Sequence, residues 1–312
     1  AALAAAAALA AGAAPAARAE EVRVRVLTPR EGLPSGWVTA VAFAPDGVLW
    51  AGTGNGGVAL VDAAKGTVLR VFRAADGLLS DEVVSIAFFG GKAWVATGAG
   101  LSVFDGKGWS AVGQAGKVTL RNARLAASPD GKALWACAVY LAGGTVRFDG
   151  REWTFMGGEG RGLFNDVQGF AFLPDGVLMA AGSGVAYLHT GADVVPLAEG
   201  LPPVNLFAAG TAGGRALLGT SRGLYERKDG AWREVPLPGS FAGAPVYAIA
   251  AGNGWAVLGT GAGLAAVRPG KAPAVLGERS GLPPGRVAAV AVRDGVVVAA
   301  TASGLALVTG WP

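Results

Sequence analysis

The sequence predicts an all-β fold, a seven-bladed β-propeller closed by its own N-terminal strand. Three observations predict it. A short signature (Trp or Leu, any residue, Gly or Ala, then Thr) recurs through the 312 residues about every 41 positions, the length of a four-stranded blade. A Gly-Leu marker, followed by Pro or a small turn residue, runs in phase with it. The last repeat ends one strand short, while the chain opens with one strand too many. Apolar runs of about 5–7 residues, rich in Val, Ala and Phe and interrupted by Gly, fit short strands and not amphipathic helices.

Residues 1–19 stand apart. They are almost wholly Ala and end in Ala17-Arg18-Ala19 before Glu20, the small-x-small pattern of a secretory cleavage site. The expectation is a truncated signal peptide or a disordered Ala-rich leader, with residues 20–312 forming the propeller. The stretch is too short and too Ala-rich for a membrane span of ~20 strongly apolar residues. Residues 21–27 then alternate as Glu-Val-Arg-Val-Arg-Val-Leu. They are expected to become the outer strand of the seventh blade. Val22, Val24 and Val26 would face the neighbouring blade, and Arg23 and Arg25 solvent.

The first repeat sets the pattern. Residues 39–44 form an apolar strand, Pro45-Asp46-Gly47 a turn, residues 48–52 a second strand, residues 54–57 a turn and residues 58–61 a third strand. Asp and Gly supply turn geometry that β-branched residues cannot. The second-strand signature ends at Thr53, Thr97, Thr220, Thr260 and Thr301, with degenerate copies ending at Ala138 and Gly182. The Gly-Leu marker stands at Gly32, Gly77, Gly162, Gly200 and Gly281, with Gly116 and Gly239 holding the place less faithfully. Asp105-Gly106, Asp149-Gly150 and Asp229-Gly230 lead into segments carrying Trp109, Trp153 and Trp232, read as fourth, outer strands. The last repeat supplies strands at residues 287–292, 296–301 and 305–309 and then stops.

The stretch GLPSGWVTAVAFAPDGVLWAGTGNGGVALVD resembles the two-component regulator propeller repeat, with its Gly-Leu-Pro lead-in, Asp-x-x-Gly turn, Leu-Trp-x-Gly-Thr strand and following Gly-Gly. GLLSDEVVSIAFFGGKAWVATGAGLSVFDG is a second match. The resemblance extends over residues 31–312 and is weakest over 114–190. It implies an extracytoplasmic propeller, periplasmic or secreted, of the kind that feeds signals to membrane histidine kinases.

Composition narrows the function. The net charge is +4, from 26 basic and 22 acidic residues. The basic residues are scattered without a run or stripe, which excludes nucleic acid as a partner. The lone Cys137 precludes an internal disulfide and sits in a predicted strand, as a core residue would. His189 is the one histidine. It has no second His or Cys cluster for zinc and no Gly-x-Ser-x-Gly elbow for a triad, and its place at a strand end reads as solvated. The Asp-Gly carboxylates read as turn formers, and no Asp-x-Asp-x-Asp loop suggests calcium. The Gly52–57 run lacks the Lys and helix of a phosphate loop. The expectation is therefore a non-enzymatic, sensor-like binding module of the cell envelope, without cofactor or metal and at most peripheral to the membrane. A hydrolase or lyase acting on polysaccharide, or a scaffold of an envelope complex, is the alternative. The blade-to-blade connections and the turns between second and third strands crowd one end of the ring. There Trp37, Asn55, Tyr140, Asn165, Asn205, Arg222 and Arg286 are the candidate contacts for a glycan, a peptide or an envelope protein.

Overall fold

The computed structural model describes residues 21–112, 118–138, 144–156 and 166–312. The expected leader, Gly116, Gly162, Tyr140 and Asn165 lie outside them. The described residues form seven four-stranded antiparallel sheets. Blade 1 runs Val38–Phe43, Leu49–Thr53, Val58–Asp62 and Thr67–Phe72 from the channel outwards. The innermost strands of blades 2 to 7 are Val83–Phe89, Ala123–Ala127, Val167–Leu173, Leu206–Ala212, Val246–Ala251 and Ala289–Arg293. The fourth strands expected after the Asp-Gly turns are present at Trp109–Val112, Trp153–Phe155 and Ala231–Val235.

The ring closes as expected. Arg23–Leu27 pairs antiparallel with Gly304–Thr309, register Arg23 to Thr309 and Leu27 to Leu305, and completes blade 7. Leu27 is fully buried, and Val24 and Val26 pack into the core between blades 6 and 7. Val22 differs from the expectation: it is 40% exposed, because it precedes the first ladder pair and has no facing strand. Arg25 is exposed, yet its guanidinium donates to the Lys65 carbonyl of blade 1. Arg293 seals the same seam from the channel side, donating to the Ala44 and Pro45 carbonyls of blade 1.

The buried side chains fall into seven hydrophobic clusters, one for each seam between adjacent blades. Both faces of every sheet are thus covered, which explains second strands such as Leu49–Thr53 that are buried at every position. The aromatic residues concentrate at two seams. Trp50 packs with Phe72, Phe88, Phe104 and Trp109 between blades 1 and 2, and Phe89 and Trp94 with Phe148 and Trp153 between blades 2 and 3. Cys137 is buried between blades 3 and 4, where burial pushes its thiol pKa up.

The repeat signature has a physical meaning at two of its positions. A Cβ on Gly52 would fall 2.3 Å from Val83 Cγ1 of the next blade, and one on Gly259 2.7 Å from the Val287 carbonyl oxygen. The Gly therefore admits the Val that heads the neighbouring inner strand. The Thr that follows is fully buried at positions 53, 97, 220, 260 and 301. Its hydroxyl donates back across the turn, as Thr301 does to the Gly304 carbonyl at 2.9 Å, and accepts an N–H, as from Ser303 at 3.1 Å. In blade 4 the equivalent residue is Ala181, not Gly182: Gly182 N–H donates to the Asp166 carbonyl as Gly54 N–H donates to that of Trp37. The fourth copy is one residue earlier than the sequence pattern suggests, because no Thr marks it.

Two predictions follow from these contacts. Deleting residues 21–28 removes a five-pair ladder and the buried Leu27, and should cost at least about 4 kcal/mol or abolish cooperative unfolding, as read by denaturant melts. Gly52→Ala should cost about 1–3 kcal/mol by overpacking. Gly108→Ala, with nothing within 4 Å of the new methyl, should stay within about 0.5 kcal/mol of the parent.

Candidate functional site

The channel is lined by the seven inner strands, and at one end it widens into a cavity of about 520 Å3. Five of the inner strands carry the same irregularity. Their register slips between Val38 and Ala40, Val83 and Ser85, Val167 and Gly169, Leu206 and Ala208, and Val246 and Ala248. The residue skipped in each ladder is Thr39, Val84, Gln168, Phe207 or Tyr247. A β-bulge leaves one residue unpaired and re-aims its side chain, and all five of these side chains line the cavity. Blade 3 contributes Arg124 and blade 7 Ala288, without a register slip.

Trp37 and Glu82, each just before the Val that heads an inner strand, and Arg286, just before Val287 in the lead-in to Ala289–Arg293, complete the wall. Trp37 is 49% exposed and lies flat against the turn after Thr53, where a Cβ on Gly54 would meet its ring at 2.4 Å. Glu82 covers Gly98 of blade 2 in the same way. Phe207 and Tyr247 stack with centroids 5.2 Å apart and planes at 23°, and the Arg286 guanidinium lies 5.4 Å from the Tyr247 centroid. The Thr39 hydroxyl is committed to the wall, donating to the Val83 carbonyl at 2.7 Å. The mouth therefore has two halves. Phe207, Tyr247, Arg286 and Trp37 form a flat aromatic and guanidinium arc across blades 5, 6, 7 and 1. Glu82, Arg124 and Gln168 form a polar arc across blades 2, 3 and 4.

Of the sequence candidates, Trp37 and Arg286 come together at this mouth. Asn55, Asn205 and Arg222 are exposed on the loops of the same end, outside the cavity wall. Thr39, Glu82, Arg124, Gln168, Phe207 and Tyr247 were not singled out from the sequence. The signal that could have found them is their shared place in the repeat, at the first or second residue around the head of each inner strand.

A second concavity of about 780 Å3 opens at the opposite end, between blades 3 and 4, where Trp135, Arg147, Asp130, Asp175 and His189 meet. His189 is not the solvated residue the sequence suggested. It is half-buried, edge-on to Trp135 with centroids 5.2 Å apart, and its Nδ1 accepts the Gly191 N–H at 3.1 Å. Burial, helped by the charge of Arg147, holds its pKa below the ordinary histidine value. The wall of this cleft ends at Met156, the last described residue of blade 3. Among the described residues no three His, Cys, Asp or Glu side chains are grouped to hold a metal ion. Nor is any helix of those residues long and apolar enough to cross a membrane.

With this geometry in view, comparison with known proteins places the chain by fold. The family model described as two component regulator propeller matches residues 32–55, so that the first repeat is a repeat of that kind. No curated protein matches in sequence. The chain is similar to the extracellular domain assigned to a hybrid two component system of B. thetaiotaomicron, at 15% identity and TM-score 0.74, covering 93% of this chain and 42% of that one. It thus spans about two fifths of that relative's length. It is also similar to virginiamycin B lyase from Staphylococcus aureus, solved as an inactive variant with quinupristin, at 10% identity and TM-score 0.69 over 93% and 99% of the two chains. A third likeness is to YCF48 bound to D1 peptide, at 13% identity and TM-score 0.68 over 95% and 98%. Identities this low show a shared propeller fold.

The single histidine gives a clean test of the lower cleft. Its imidazole should titrate by NMR with a midpoint below the ordinary value of about 6.5. A depressed folded pKa makes the unfolded chain the stronger proton binder, so stability should fall as pH drops through about 6.5. His189→Gln should remove that component of the slope.

Proposed function

We propose that the chain is a non-enzymatic, sensor-like binding module of the cell envelope that seats a glycan or peptide over the channel mouth. The observation that carries this reading is the five-fold bulge. Separate blades turn equivalent side chains into one cavity, and three of the five, Gln168, Phe207 and Tyr247, are the stacking and hydrogen-bonding types that recognise small polar ligands. The first-repeat match and the likeness to an extracellular sensor domain agree with it. The peptide held by YCF48 shows that a related ring can take such a ligand.

The likeness to a lyase raises the alternative of an enzyme. The residues of the mouth favour binding. Among the described lining residues Glu82 is the one carboxylate, and His189 stands at the far end of the ring. A pair of carboxylates working as general acid and base needs two within reach of one substrate, and this wall offers one, with the Tyr247 ring engaged by Phe207 and Arg286.

The test is a binding screen of the purified protein against soluble oligosaccharides and short peptides. A ligand retained by the parent should lose about tenfold or more in affinity on Trp37→Ala, and a similar amount on Phe207→Ala. It should be recovered chemically unchanged. A ligand held equally well by the double variant of Trp37 and Arg286 would move the site away from the mouth.

A further inference from the structure

Three residues at the mouth occupy one register position in three consecutive blades. Arg286 precedes Val287, Trp37 precedes Val38 and Glu82 precedes Val83, and all three valines are buried, Val38 and Val83 heading an inner strand and Val287 two residues before one. Going round the ring through blades 7, 1 and 2, the wall therefore presents a cation, an exposed indole and an anion, in that order. The five ion pairs of the described residues lie elsewhere, and neither Arg286 nor Glu82 takes part in one. The Arg286 guanidinium instead lies over the Tyr247 ring, 5.4 Å from its centroid, a contact that uses its charge and not its N–H donors.

We propose that the channel mouth binds a short peptide with both termini free. Its carboxylate sits on Arg286, its ammonium on Glu82 and its central side chain over Trp37. The inference rests on the mouth being the binding site and names the ligand class. Electrostatics favour a zwitterion over a neutral sugar. A neutral ligand covering the wall would desolvate Arg286 and Glu82, with Arg124 beside them, and would pair neither of the first two. A zwitterion pairs both with charge-assisted hydrogen bonds. Length follows from the fold. Neighbouring inner strands come within 8 Å of each other between Cα atoms. Blades 7 and 2 are then roughly 14 Å apart at the mouth, and a chain lying over Trp37 between the Arg286 and Glu82 side chains spans about three extended residues. A longer chain, or one whose ends are blocked, would lose one of the two pairs.

The experiment is equilibrium dialysis of the full chain against a pool of tripeptides Ala-X-Ala carrying all twenty central residues, with mass-spectrometric readout. Maltotriose serves as the neutral sugar. The peptides are offered with free termini, N-acetylated or C-amidated. Parent protein should retain free-termini peptides, most strongly those with apolar or aromatic centres. Acetylation should weaken retention about tenfold in the parent and little in Glu82→Gln. Amidation should weaken it about tenfold in the parent and little in Arg286→Gln. Both positions are exposed, and circular dichroism checks that the variants fold. Failure to retain the pool up to about 1 mM overturns the proposal, as does retention that is indifferent to end-blocking. Trp37-dependent retention of maltotriose without peptide would leave the mouth as a binding site and reject the peptide. Retention of neither would count against both.

Discussion

The approach of one blade to the next is the constraint on which this molecule depends. A Cβ at Gly52 or Gly259 would overlap the Val that begins the following inner strand, so the seams are set by pairs of a very small and a β-branched residue. Interiors this close-packed tolerate little change in volume. Because every sheet shares both faces with neighbours, no blade has a core of its own. The seven clusters are properties of the ring. Stability is thus a chain of neighbour contacts that returns to its start, and the seam between blades 7 and 1 carries extra fastening. There the pairing of Arg23–Leu27 is joined by Arg25 on the outside and Arg293 beside the channel.

The same geometry makes the site. The buried Val at the head of an inner strand anchors the backbone against the preceding blade. The residue before it is left on the rim and the one after it is bulged into the channel mouth. Repetition gives five blades a bulge position there, with Arg124 and Ala288 at the mouth in blades 3 and 7, and the chain fills these positions unequally. Aromatic rings and Arg286 gather in blades 5, 6, 7 and 1, and Glu82, Arg124 and Gln168 in blades 2, 3 and 4. A near-symmetric scaffold thereby carries a two-sided cavity, which is what recognition of an asymmetric ligand requires.

Much of this was legible beforehand. The period of Thr53, Thr97, Thr220, Thr260 and Thr301 announced blades because each Thr answers a local need, the buried turn between two strands, that recurs wherever that turn recurs. Where the need is met without Thr, as at Ala181, the frame slipped by one residue. The missing last strand and the surplus first one identified the closure, since an open sheet edge has to be paired. Trp37 and Arg286 were found as loop residues at the crowded end. Phe207 and Tyr247 were not, because in sequence they look like ordinary apolar residues of a strand.

Local chemistry, repeated at a fixed interval, is what the sequence alone determined: strands, turns, seven repeats and a ring joined head to tail. The strands, turns and repeats rest on interactions within about 40 residues, and their residue types name them, while the head-to-tail joint is legible from the surplus first strand and the incomplete last repeat. The tertiary structure decided which side chains meet at the mouth and that His189 packs against Trp135. A bulge is a register slip of one residue against a partner strand, and a seam joins residues from different repeats. The bulge has no residue type of its own, and the seam shows in the sequence only as the recurring Gly of the second strand, because both are fixed when the blades press together.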